Sequence, residues 1–117
     1  MSGSDQMTIT QTASAIRALN DAFRKNHRGG RVLLSSGIME HTGGAFSDLV
    51  FSIADFDSFN DNNDPYGEHD FGSLTYMGQP VFWKIDYYDL DLQHGSPDPT
   101  DPDVTVRVLT LMMAWEY

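Results

Sequence analysis

Apolar residues at Ile9, Ala13, Ile16, Leu19 and Phe23 recur every three to four positions and predict an amphipathic helix, preceded by a loose polar tail at residues 1–8. "KNHRGG" should end that helix: Lys25 and Arg28 suit the negative end of the dipole, and Gly29 can take a left-handed cap. "RVLLSS", residues 31–36, reads as a short buried strand broken by Gly37, with "EHTGG" as a loop. Phe46, Leu49, Val50, Ile53 and Phe56 give a second helical stripe, over residues 44–57. "FNDNNDPYGEH" is a loop by composition.

Alternation then replaces helical spacing. "FGSLTYM" and "PVFWKIDYY" flank Gly78-Gln79, and glycine at the first loop position suits a type II′ hairpin turn. That turn sets Tyr76 opposite Val81, Leu74 opposite Trp83 and Gly72 opposite Ile85, an almost wholly apolar face that should be buried. The opposite face carries His69, Phe71, Ser73 and Thr75 beside Phe82, Lys84, Asp86 and Tyr88. Val104, Val108, Leu111, Met112 and Trp115 form a last helical stripe, with Asp101 as cap and Pro102 in the first turn, while the β-branched "VTVRV" also permits a strand. The predicted architecture is one α+β domain over residues 9–117: helix, short strand, helix, β-hairpin and C-terminal helix. Its sheet is three-stranded and mostly antiparallel, with helices packed on the Leu74/Tyr76/Trp83/Ile85 face. An open edge strand would allow a homodimer.

The chain has 117 residues, 40% of them apolar and 12% aromatic, enough for a single modest core. It has no cysteine, which excludes disulfides, thiolate zinc sites and a cysteine nucleophile. Neither a signal-peptide pattern nor an apolar run of membrane-spanning length is visible, so a cytoplasmic protein is expected.

Charge changes the picture more. Residues 1–39 hold five basic side chains against Asp5 and Asp21, whereas residues 40–117 hold fifteen carboxylates against Lys84 and Arg107, and the whole chain carries −10. Such a field repels nucleic acid and anionic membranes and attracts basic partners or cations. Direct nucleic-acid binding and membrane association are therefore not expected.

"NDPYGEHDFG", residues 63–72, is the densest cluster of special residues. Asp64-Pro65, Gly67 and the preceding asparagines are turn chemistry. Glu68-His69-Asp70 is not. With regular alternation His69 would share the polar hairpin face with Asp86, Lys84 and Tyr88, a set able to perform acid–base work, or with His69 and Asp86 to hold an oxygen-loving metal. On the same face Lys84 and Asp86 could equally form a salt bridge. No EF-hand, H-E-x-x-H, G-x-S-x-G, Walker A or dinucleotide motif is present, and no cofactor is implied. The second acidic segment, "DYYDLDLQHGSPDPTDPD", spaces carboxylates much as a phosphate backbone does, though its aspartates also suit turns and caps.

"LNDAFR", "GGRV", "NDPYGEHDFG", "FWKIDYYD", "GSPDPTDP" and "RVLTLMMAWEY" resemble a small bacterial domain-of-unknown-function family, found largely in alphaproteobacteria and often on mobile elements. The resemblance implies one compact domain and no established activity. With the charge, it points to an acidic protein-binding module for a basic partner. The narrower form is a mobile-element inhibitor of a nucleic-acid-processing defence enzyme, of anti-CRISPR or anti-restriction type, that mimics DNA. Contact residues would be Asp61, Asp64, Glu68, Asp89, Asp91, Asp98 and Asp101, with Tyr66 and Tyr88 as aromatic anchors. The alternative is a small metal-dependent or acid–base enzyme using the His69/Asp86/Lys84 face.

Overall fold

A computed structural model describes residues 9–117; the tail expected at residues 1–8 lies outside the described residues. In chain order the elements are α1 (Ile9–Asn26), β1 (Gly30–Leu34), α2 (Ser36–Thr42), α3 (Ser47–Ala54), β2 (Phe71–Tyr76), β3 (Gln79–Tyr88), β4 (Val106–Met113) and a closing 3₁₀ turn (Ala114–Glu116). The strands form one four-stranded sheet in the order β1-β4-β3-β2. β2–β3 and β3–β4 pair antiparallel, and β1 pairs parallel with β4, Gly30 opposite Arg107 through Leu34 opposite Leu111. The α+β class therefore stands, but the sheet has four strands rather than three.

The extra strand is the segment expected to be a C-terminal helix. Its apolar positions fit a helical stripe, but read in twos they place Leu109, Leu111 and Met113 opposite Ile85, Trp83 and Val81. All six are buried, and the β-branched run favours that extended geometry. Pro102 and Asp101 belong to a turn instead, in which Asp101 Oδ1 accepts the Asp103 N–H at 2.9 Å.

Two local expectations also change. The α1 helix is closed by His27 at φ 58°, its N–H donating to Phe23 O at 2.8 Å, ahead of Gly29 at φ 77°. Residues 36–42, read as the end of a strand and a loop, form a short helix because Ser35 caps it: Ser35 Oγ accepts the Ile38 N–H, and Ile38 and Thr42 are buried one turn apart.

The hairpin keeps its predicted faces but closes one position earlier. Tyr76 pairs with Gln79, Leu74 with Val81 and Gly72 with Trp83, so the two loop residues are Met77 and Gly78, at φ 51° and 80°. Positive φ at both central positions is a type I′ turn in place of the type II′ turn expected, and its twist likewise suits the flanking strands. Gly72 is the tightest point of the hairpin: a Cβ there would enter the Trp83 indole. Trp83 is fully buried, with Phe56 and Phe59 edge-on to it at 5.5 and 6.1 Å between centroids. Phe23, Ile38, Leu49 and Ile53 from the helices complete the core on that one side of the sheet.

Candidate functional site

The loop at residues 59–70 is built from side-chain–backbone bonds. Asn60 Oδ1 accepts the N–H groups of Asn62 and Asn63, the Asn60 N–H donates to Asn63 Oδ1, and the Asp64 N–H donates to Asn60 O. Gly67, at φ 72°, closes a turn onto Asp64 O. His69 also takes positive φ, 55°, with its N–H on Asp64 Oδ1 at 3.0 Å. That left-handed residue breaks the strand alternation just before β2.

The consequence for His69 is decisive. Its Nδ1 lies 2.9 Å from Asp21 Oδ1 on α1, its Nε2 lies 3.6 Å from Asp64 Oδ2, and its ring stacks on Phe59 at 3.7 Å and 4°. Lys84 pairs with Asp86 at 2.9 Å, and Tyr88 lines a cleft with both of them together with Arg31, Leu33 and Leu92. His69, Lys84, Asp86 and Tyr88 therefore do not converge. The acid–base or metal pair expected of His69 and Asp86 is not formed, because the kinked backbone turns the imidazole towards α1. A cleft of about 260 Å³ does open beside His69, lined by Asp21, Arg24, Lys25, Asp55 and Phe59. Both ring nitrogens face carboxylates, so the imidazole works as a fastener between helix and loop. Among the described residues no group of three His, Asp or Glu side chains is arranged to hold a metal ion.

Fastening continues along α1. Arg17 donates to Gly67 O, and Asn20 donates to Glu68 O and to the Tyr87 hydroxyl, which in turn donates to Glu68 Oε1 at 2.7 Å. Arg107 Nε donates to Asn20 Oδ1 at 2.7 Å, and its Nη2 to Pro99 O. Burial, and then the bond to Glu68, push the Tyr87 hydroxyl far above its ordinary pKa, so it remains a donor. Arg24 reaches Asp21 Oδ1 and the carbonyls of Ile53 and Phe56, with its guanidinium 5.0 Å from the Trp83 ring centroid. Burial works against the Asp21 carboxylate, but the hydrogen bonds from Arg24 and His69 outweigh it and hold the group below its ordinary range. Sequence reasoning missed this set. Its signal was present, since Arg17, Asn20, Asp21 and Arg24 are a polar stripe at helical spacing beside the apolar one.

The predicted contact acids divide by what they already bind. Glu68 is taken by Tyr87, and Asp64 by the His69 backbone. Asp89 accepts the Gln93 and His94 N–H groups, Asp98 accepts the N–H and hydroxyl of Thr100, and Asp101 holds Asp103. Asp61 and Asp91 are exposed, and neither carboxylate forms an ion pair among the described residues. Tyr66 is 77% exposed beside a second cleft of about 430 Å³, whose other walls include Asn62, Asp70, Phe71, Asp86 and Tyr117. Phe71, Phe82 and Tyr117 meet there as a trio of rings 5.4 to 5.6 Å apart. Sequence reading left Asp70 and Tyr117 out of the contact set.

Helices on one face of a mixed four-stranded sheet, and acidic loops at its ends, define a small two-layer α+β domain with one sheet face not covered by helices. Within that class the chain belongs to a family described as a protein of unknown function (DUF3768), whose model matches residues 34–116. The matched span holds the acidic loops and every wall of the aromatic cleft but Tyr117, whereas α1 lies outside it. No curated protein and no solved structure matches the chain. Among the described residues no helix is long and apolar enough to cross a membrane.

Proposed function

We propose that this protein is an acidic protein-binding module whose partner is a basic protein. One observation carries the reading: residues 40–117 hold fifteen carboxylates and two cations, and the fold uses both cations internally. Lys84 is bound to Asp86, and Arg107 is buried against Asn20 and Pro99. The negative charge of residues 40–117 is thus only partly offset, leaving the chain at −10, which favours fast, salt-sensitive association with a positive surface. In its narrower form the partner is a nucleic-acid-processing defence enzyme, and the carboxylates of the 89–103 loop occupy the path of a phosphate backbone.

The structure supplies the variant that tests this. Asp57, Asp61, Asp91 and Asp103 are exposed and their carboxylates hold no turn together, so all four can become Asn without loosening a loop. The immobilised protein should retain a basic protein from nuclease-treated lysate and release it along a salt gradient, and the fourfold variant should release it at clearly lower salt. Capture unchanged in strength and salt dependence by the four substitutions would refute the reading.

A further inference from the structure

Asp70 is a half-buried carboxylate to which, among the described residues, no other residue donates. It stands immediately before β2, half-buried at the sheet edge, and apart from its own backbone N–H its side chain has no hydrogen bond or ion pair among the described residues. The nearest cation of the cleft, Lys84, is committed to Asp86 at 2.9 Å. Around Asp70 stand Phe71 and Tyr117 of the aromatic trio and the exposed Tyr66, all lining the one cleft of about 430 Å³. A buried-edge carboxylate among exposed ring faces is the chemistry that recognises a guanidinium: a charged hydrogen bond at one end and flat π surface for the planar group.

We propose that this cleft receives an arginine side chain of the basic partner, with Asp70 as its counter-ion and Tyr66 and Tyr117 as stacking surfaces. This rests on the reading of the protein as a module for a basic partner, and names where one anchoring residue goes. Net charge supports a cation over a neutral guest, since Asp70 and Asp86 exceed Lys84 by one negative charge within the cleft. The electrostatics have the matching sign. Burial, then Glu68, Asp64 and Asp86, raise the Asp70 pKa above its ordinary value, so the empty cleft holds a charge that an incoming guanidinium would relieve.

The test is an amide-resolved NMR titration with N-acetyl-arginine amide, run beside its neutral isostere N-acetyl-citrulline amide. Amides of Asp70, Phe71, Lys84 and Tyr117 should move with the arginine probe and hardly at all with citrulline. Asp70→Asn should weaken binding about tenfold, the loss of a hydrogen bond between charged groups. Tyr66→Ala, at an exposed ring, should weaken it about two- to fivefold. The Asp70→Asn protein should also unfold at a higher midpoint than the parent at pH 7. Because the folded-state pKa is raised, the penalty is present at neutral pH and is relieved as the pH falls through that value, so the two midpoints should converge in acid. Arginine-induced shifts confined to the 89–103 loop, untouched by Asp70→Asn, would overturn this site and leave the acidic module intact. No shift anywhere at low salt, together with capture insensitive to salt, would overturn both.

Discussion

His69 Nδ1 and Asp21 Oδ1 meet at 2.9 Å across 48 residues of chain, joining the opening helix to the loop that precedes the hairpin. Asp21 at the same time accepts from Arg24, which is buried and also holds the carbonyls of Ile53 and Phe56. One carboxylate thus ties α1, the end of α3 and the 59–70 loop together.

Replacing Asp21 with Asn should cost about 1–2 kcal/mol, the range for hydrogen bonds to charged groups reduced by the solvent screening of a partly exposed carboxylate. The sign with pH follows from its lowered pKa. Its contribution is present above the ordinary value of 3.8 and is lost as the pH falls through the lower folded-state value. Urea midpoints measured from pH 7 down to pH 2.5 should show the parent losing its advantage over Asp21→Asn in acid; parallel curves would remove Asp21 from the clamp.

Asn20 has no exposed surface, donates to Glu68 O and the Tyr87 hydroxyl, and accepts from Arg107. Asn20→Ala leaves those groups without their partner and should cost about 1–3 kcal/mol, with an unchanged denaturant slope. The amides of Gly67 through His69 should shift in the same variant, since the loop loses one of its anchors. A neutral effect on the urea midpoint would mean that the network contributes nothing net.

Met77 sits at φ 51° in the hairpin turn and is 65% exposed. Met77→Asn creates the Asn-Gly pair that type I′ turns prefer, and should stabilise the protein by about 0.5–1 kcal/mol, since a left-handed conformation is costly for an ordinary side chain. A thermal midpoint that stays put or falls would show that Met77 makes contacts worth more than its backbone strain.

That methionine also shows how far the sequence could be read. Strand alternation assigned Leu74, Val81, Trp83 and Ile85 to the core face, and the register was displaced by two because nothing in a methionine announces positive φ. A displacement of two keeps every face, so the core survived the error. His69 did not, since one left-handed residue reversed its side and a candidate dyad with Asp86 dissolved. β4 was obscured by Arg107, a charged residue on the core-facing row whose partner, Asn20, lies 87 residues away. Of the candidate site, the exposed acids and Tyr66 were visible as composition. The cleft was not, because Phe71 and Tyr117 come together only once β4 delivers the chain end beside β2.

The parallel pairing of β1 with β4 has a consequence for how the domain is made. Residues 30–34 leave the ribosome well before residues 107–111, which are their only strand partner among the described residues. The β2–β3 hairpin can close as soon as it emerges, whereas β1 must wait unpaired until β4 has followed. The sheet therefore cannot be completed before β4 has emerged, and a nascent chain halted before β4 would expose β1 and one side of β3 to whatever binds unpaired strands.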